Sequence, residues 1–159
     1  MKLKILFTLI AIISFSCLIA QVDDHDHDHH HHKNEIGVAN MAVYFVKEEV
    51  FAYGLHLHYI RQISASKFGF GVGYEKIFDE HEHQTFGVVV AYRPIERLTF
   101  AASPGLTYEN EESGGRFAFH AEAVYEFEIG DFHIGPLFEV AYDPEDIHMS
   151  LGIHIGYAF

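Results

Sequence analysis

From Ile147 to the C-terminal Phe159, every odd position carries a large apolar side chain: Ile147, Met149, Leu151, Ile153, Ile155, Tyr157 and Phe159. The even positions hold His148, Ser150, Gly152, His154, Gly156 and Ala158. Successive side chains of a β-strand point to opposite faces, so this stretch is a strand with one wholly apolar face. Its other face is not that of a soluble sheet. Water would favour Lys, Thr, Gln or Glu there, whereas Gly, Ala and Ser suit a crowded interior. An apolar outside around a small, polar inside is the pattern of a strand that crosses lipid in a closed barrel.

The pattern recurs in segments near 34 to 46, 50 to 63, 68 to 78, 84 to 93, 97 to 109, 116 to 129 and 132 to 143, which with 147 to 159 make eight. Phe51, Tyr53, Leu55, Leu57 and Tyr59 alternate with Ala52, Gly54, His56 and His58, and Phe132, Ile134, Pro136, Phe138, Val140 and Tyr142 with His133, Gly135, Leu137, Glu139 and Ala141. Each segment meets or slightly exceeds the roughly 9 to 11 residues that a tilted strand needs to cross a bilayer. Only the first is ambiguous, with Ile36, Val38 and Tyr44 on one parity and Met41, Val43 and Phe45 on the other, and a bulge is expected there. The connections alternate. Ser64 to Lys67, Pro94 to Glu96 and Gly130–Asp131 are short, while Lys47 to Glu49, Asp79 to His83, Asn110 to Gly115 and Asp143 to Asp146 are acidic. An even strand number places both termini on one side, and short turns are periplasmic in this architecture, so the termini are expected in the periplasm and the acidic loops outside. Aromatics fall at both boundaries: Tyr59, Phe68, Tyr92, Phe100, Phe127, Phe132 and Phe159 on one side, Phe51, Phe86, Tyr108, Phe117 and Tyr142 on the other. The reading is all-β: an eight-stranded antiparallel up-and-down transmembrane β-barrel over residues 34 to 159.

Over those residues the chain resembles the small eight-stranded bacterial outer-membrane barrels. In that class the last strand ends on an aromatic that the barrel-assembly machinery recognises, and Tyr157 and Phe159 match that ending. The resemblance implies an outer-membrane location and lipid as a partner, but no activity, because one architecture hosts many functions.

The beginning of the sequence agrees with export. Met1 to Lys4 give a short basic start, Ile5 to Ile19 are almost wholly apolar, and Ala20 offers a small residue for cleavage, so residues 1 to 20 read as a signal peptide. Ser14, Phe15 and Ser16 fit poorly the alternative of a lipoprotein site at Cys17. Cleavage after Ala20 leaves no cysteine, which excludes disulfides and thiolate metal sites. It also leaves eight Lys and Arg against 23 Asp and Glu, a formal charge of −15 with His neutral. That balance argues against nucleic acid as a partner, since phosphate binding needs a basic surface.

Histidine and carboxylate carry the candidate chemistry. Residues 21 to 33 form a polar tail with no apolar cluster on which to fold. Within it, Asp24, His25, Asp26, His27, Asp28, His29, His30, His31 and His32 interleave imidazole with carboxylate. Imidazole suits zinc, nickel, copper and cobalt, and carboxylate supports these borderline cations. The spacing fixes no geometry, so affinity without selectivity is expected. A second set points inward: His56, His58, Glu75, Arg93, His120, Glu122, Glu126, Glu128, His133, Glu139, His148 and His154. The two-residue turn at Gly130 and Asp131 pairs 129 with 132, which sets Glu128 opposite His133 and Glu122 opposite Glu139. Such a carboxylate pair has to share a proton, meet Arg93 or a histidine, or hold a cation; otherwise the inward residues are a plain polar core. A third set, His81 and His83 with Asp79, Glu80 and Glu82, is a candidate loop site.

No Gly-x-Ser-x-Gly elbow and no His-Glu-x-x-His motif occurs, so no enzyme is read. The expectation is an outer-membrane barrel that binds or buffers divalent transition-metal ions through its periplasmic tail and needs no cofactor. The alternative is a structural or adhesive barrel acting through its acidic loops.

Overall fold

The computed structural model describes residues 33–110 and 114–159; the leader and the His/Asp tail up to residue 32 lie outside the described residues. The strands are β1 (Asn34–Phe45), β2 (Val50–Gln62), β3 (Phe68–Phe78), β4 (Gln84–Ile95), β5 (Leu98–Tyr108), β6 (Arg116–Tyr125), β7 (Phe127–Ile129), β8 (Phe132–Tyr142) and β9 (Ile147–Ala158). Neighbours in sequence pair antiparallel except β6 and β7, which both pair with β8, and β1 pairs with β9 from Glu35↔Ala158 to Phe45↔His148. That last ladder closes the sheet and leaves no unpaired edge, as a bilayer demands.

The segments β6 and β7 are one crossing. Val124 pairs with Leu137 and Phe127 with Ile134 in a single register, which puts Tyr125 opposite Pro136. Proline has no N–H to donate, and the ladder lapses at that point. The barrel therefore has eight walls, the number expected.

Alternation sorts the side chains. Along β8 every odd–even step switches between buried and exposed, and β9 does the same from Ile147 to His148 and onward. The exposed side is apolar on every strand apart from a few polar positions such as Asn40 in β1, whose Oδ1 accepts the Tyr53 hydroxyl; Leu151 is 66% and Val72 59% exposed. A soluble monomer does not display a continuous apolar band of that kind, and lipid is the solvent that suits it. Aromatic rings pair at both rims: Phe68 with Tyr92 and Phe132 with Tyr157 at the end holding the termini, Tyr74 with Phe86 and Tyr44 with Phe51 at the other.

Two local expectations change. β1 carries no bulge: it pairs with β2 without interruption from Asn34↔Arg61 to Phe45↔Val50. Its apparent ambiguity arises because its luminal side chains Ala39, Met41, Val43 and Phe45 are themselves apolar and pack with Ile77, Val124 and Leu137. The bulge lies instead in β4, where Tyr92 pairs with Phe100 and Ile95 with Leu98, so that Arg93 and Pro94 share the place opposite Thr99. A bulge tolerates proline, which extends β4 to Ile95 and shortens the following turn to Glu96 and Arg97.

Leu151 and Ile153 lie mid-strand on the exposed face. Replacing either with Arg is expected to cost about 2 to 4 kcal/mol of stability in lipid. Urea unfolding from vesicles measures it, and wild-type folding of both variants in water without detergent would contradict the lipid-facing assignment.

Candidate functional site

The inward parity of the strands gathers histidine and glutamate in the lumen. Ten of the twelve residues expected there are buried; Arg93 is partly buried, and Glu128, the penultimate residue before the Gly130–Asp131 turn, is exposed. One luminal carboxylate was not foreseen. Glu35 of β1 is 4% exposed and sits at the hub of the terminal end of the barrel, a position hidden by the apolar character of its strand.

Among the described residues three groups form, each with possible ligand atoms that lie within 4.8 Å of one another. The first, Glu35, His133 and His154, lies next to the paired termini, where Asn34 and Phe159 exchange backbone hydrogen bonds of 3.0 and 2.9 Å. Glu35 there accepts from the Arg93 guanidinium and lies 3.2 Å from His58 Nε2. The β4 bulge aims Arg93 inward; its Nε donates to Thr99 Oγ1 at 3.0 Å, and that hydroxyl donates to Glu126 at 3.2 Å. The second group is His56, His58 and Glu122, with His56 Nδ1 3.0 Å from Glu122 Oε2. The third is Glu75, His120, Glu139 and His148. In it His120 Nδ1 is 3.1 Å from Glu139 Oε2 and 3.9 Å from Glu75 Oε2, and His148 Nε2 is 3.6 Å from Glu75 Oε1.

Glu122 and Glu139 do face each other across β6 and β8, and Glu128 faces His133, as the short turn dictates. The carboxylate pair is resolved by imidazole: Glu122 turns to His56, and Glu139 to His120 and to the Ser150 hydroxyl at 3.3 Å. The buried luminal set as a whole has five carboxylates, Glu35, Glu75, Glu122, Glu126 and Glu139, with Arg93 as their guanidinium partner at one end. Buried carboxylates need compensation, and here imidazolium protons or bound cations have to supply it. Hydrogen bonding is incomplete in the same place. Both oxygens of Glu75, both ring nitrogens of His148 and of His154, and Nε2 of His120 are buried with no hydrogen-bond partner.

The small luminal residues explain how so many rings fit. A Cβ on Gly37 would stand 2.3 Å from His58 Nε2 and 2.4 Å from His154 Nε2, and one on Gly156 would stand 1.8 Å from His133 Nε2. The imidazoles occupy the space that these glycines leave. There His58 stacks on His154 at 5.0 Å between centroids, and His154 on His133 at 5.3 Å.

At the opposite rim the loops are stitched together by their own carboxylates. His83 is buried, its Nδ1 2.6 Å from Asp79 and its Nε2 2.9 Å from Glu109, and Glu109 also meets Arg116. His81 lies beside it with ring centroids 6.0 Å apart, partly exposed. Asp146 accepts the Lys47 backbone N–H at 3.0 Å, and Asp143 accepts those of Glu145 and Asp146 at 2.8 and 2.9 Å. The tail residues Asp24, His25, Asp26, His27, Asp28 and His29 to His32 lie outside the described residues.

Gly156→Ala is expected to displace the His133 ring and destabilise the barrel by roughly 1 to 3 kcal/mol, the range for overpacking. Most of that loss should vanish in the His133→Ala background, which a double-mutant cycle in urea measures. Simple additivity of the two changes would show that the ring does not occupy the glycine's space.

No protein-family model matches the sequence, and no curated protein matches it. Solved structures match the fold. Neisserial surface protein A is 9% identical with a TM-score of 0.55, over 79% of this chain and 96% of that one. The N-terminal barrel domain of Pseudomonas aeruginosa OprF is 14% identical with a TM-score of 0.52, over 80% and 99%. Ail, the attachment invasion locus protein of Yersinia pestis, is 16% identical with a TM-score of 0.51, over 80% and 97%. A designed transmembrane β-barrel superimposes equally well, with a TM-score of 0.54 at 15% identity over 79% and 95% of the two chains. The fold is that of the small eight-stranded outer-membrane barrels.

Proposed function

We propose that this chain is a barrel of the Gram-negative outer membrane that binds and buffers divalent transition-metal ions, collecting them with the His/Asp segment that precedes the first strand. The observation that carries this reading is the lumen, where imidazole and carboxylate are brought together in three groups whose potential ligand atoms lie within 4.8 Å of one another. A barrel filled only for solidity has no need to concentrate the one neutral side chain that ligates zinc, nickel, copper and cobalt alike. The tail repeats the same ligand chemistry in sequence. Its attachment point, Lys33, accepts the Gln62 backbone N–H at 2.7 Å, at the barrel end that holds Glu35 and His133. Both termini are assigned to the periplasm, so the tail gathers ions on that side. Tyr157 and Phe159, ring-stacked at 5.8 Å and exposed, are the assigned signal for the barrel-assembly machinery.

A second reading is a structural or adhesive barrel that acts through its outer loops, favoured by the likeness to Ail, whose name describes attachment. Of the carboxylates in these loops, Asp79, Glu109, Asp143 and Asp146 are turned into the loops' own contacts, while Glu48, Glu49, Glu80, Glu82 and Glu145 are exposed.

Deleting Asp23 to His32 is expected to remove most zinc, nickel or copper uptake by the refolded protein in calorimetry while leaving the strand signal in circular dichroism unchanged. Uptake by the intact chain should fall as pH drops through about 6.5, because protonated imidazole is no ligand. Unchanged stoichiometry after the deletion would overturn the role of the tail.

A further inference from the structure

The geometry points to a discrete divalent-metal site in the half of the lumen away from the termini, formed by Glu75, His120, Glu139 and His148 and suited to a four-coordinate borderline cation such as zinc. It deepens the metal reading above and rests on it for the class of ion, but it is a separate place with fixed ligands.

Four strands supply the four ligands: Glu75 from β3, His120 from β6, Glu139 from β8 and His148 from β9. In the closed order β3 stands across the barrel from β8, so the group bridges the lumen from opposite walls. Hydrogen-bonded walls hold those ligands at set positions, which a tail of alternating His and Asp does not do. Tetrahedral zinc at ligand distances near 2.0 to 2.1 Å implies donor–donor separations of about 3.3 to 3.4 Å. His120 Nδ1 is 3.1 Å from Glu139 Oε2 and 3.9 Å from Glu75 Oε2, His148 Nε2 is 3.6 Å from the other Glu75 oxygen, and one donor from each of the four residues falls within 4.8 Å of the rest, so the ligands have to draw together on the ion.

Unpartnered atoms supply the independent indication. Glu75 is 3% exposed with neither carboxylate oxygen hydrogen-bonded, and His148 is 4% exposed with neither ring nitrogen hydrogen-bonded. Buried polar groups are otherwise satisfied with great regularity, and one bound ion would engage a Glu75 oxygen and one ring nitrogen of His148. Two carboxylates against a dication also leave the site electroneutral, which a low-dielectric interior favours. Glu139 has an outer-shell support in the Ser150 hydroxyl.

The other two groups fit an ion less well. Glu35 is already committed to the Arg93 guanidinium, a permanent positive charge beside any cation bound there. The His56, His58 and Glu122 group offers three ligands, and His58 Nε2 is directed at Glu35.

The test uses the full chain with His25, His27, His29, His30, His31 and His32 replaced by Ala, folded in detergent and titrated with cobalt(II) and then zinc. One cobalt per barrel with the intense visible bands of four-coordinate geometry is expected, displaced by zinc, together with a urea midpoint that rises with zinc concentration. Glu75→Gln and His148→Ala in this background should weaken binding by roughly a hundredfold or more, beyond what losing an outer-shell partner does. Heat-modifiable gel migration reports whether each variant folds. Should neither fold, X-ray absorption of the zinc-loaded, tail-substituted chain decides: two imidazole nitrogens and two oxygens support the site, while an all-oxygen shell overturns it. No binding by the tail-substituted chain, or wild-type affinity in folded Glu75→Gln, also overturns it. If the native chain binds metal and the tail-substituted chain does not, the luminal site falls and the tail's role survives; equal stoichiometry and affinity in the two chains remove the tail's role and leave the site.

Discussion

Lipid around the barrel forces charge inward, and most of the structure follows from that constraint. The exposed face of β9 can carry only Ile, Met, Leu, Tyr and Phe, so the polar side chains of the strands are pressed into a lumen eight strands wide. Five glutamates end up enclosed there with Arg93 at one end. Histidine is the residue that reconciles them: it donates to a carboxylate as a neutral ring, neutralises one as a cation, or joins one on a metal. Its bulk sets the next requirement. Gly37 and Gly156 yield the volume in which His58, His154 and His133 stack, so the glycines of the luminal face are the counterpart of its imidazoles.

The two ends of the lumen meet the constraint differently. Next to the termini the β4 bulge at Arg93 and Pro94 turns a guanidinium toward Glu35, and a hydroxyl relay through Thr99 extends it to Glu126. At that end Glu35 has a guanidinium partner, although both ring nitrogens of His154 there remain without a hydrogen bond. Farther in there is no guanidinium among the contacts of Glu75 and Glu139, only His120, His148 and Ser150. The incomplete hydrogen bonding of Glu75 and His148 falls in the part of the barrel that lacks a permanent cation, which is where an exchangeable one has most to offer.

Much of this was legible in the sequence because period-two alternation is a local property. In β2, β8 and β9 it sorts lipid-facing from luminal residues correctly, and the two-residue turn at Gly130 fixes the register that sets Glu122 against Glu139. Alternation fails where both faces are apolar. In β1 the luminal Met41, Val43 and Phe45 mimic lipid-facing residues, so an uninterrupted strand looks bulged and Glu35 escapes notice. The real bulge depends on how Arg93 and Pro94 meet Thr99 on the next strand, a matter of pairing that neither segment shows alone. Grouping is non-local too: Glu75 and Glu139 are far apart in sequence and on opposite walls, and only closure of β1 on β9 makes them neighbours.

That apolar stripe of β1 also divides the interior. Phe45 is buried at the rim away from the termini, its ring 5.3 Å from His148 on the inner side and 5.4 Å from His83 on the outer. Beyond it, Lys47, His81, Asp143 and Asp146 line a cavity at the mouth, tied by hydrogen bonds between the β1–β2 and β8–β9 loops. Within the luminal set the steps are short: His58 to His56 is 5.6 Å between ring centroids, His56 lies against Glu122, Glu122 faces Glu139, and Glu139 meets His120. Ligating groups thus succeed one another from the terminal end to His148 and stop at an aromatic ring. A ring offers an ion no lone pair, so the run of ligating groups is interrupted at Phe45 between His148 and His83. The inner run of ligating groups begins at the opposite end, beside Glu35 and His133, where Lys33 joins the first strand.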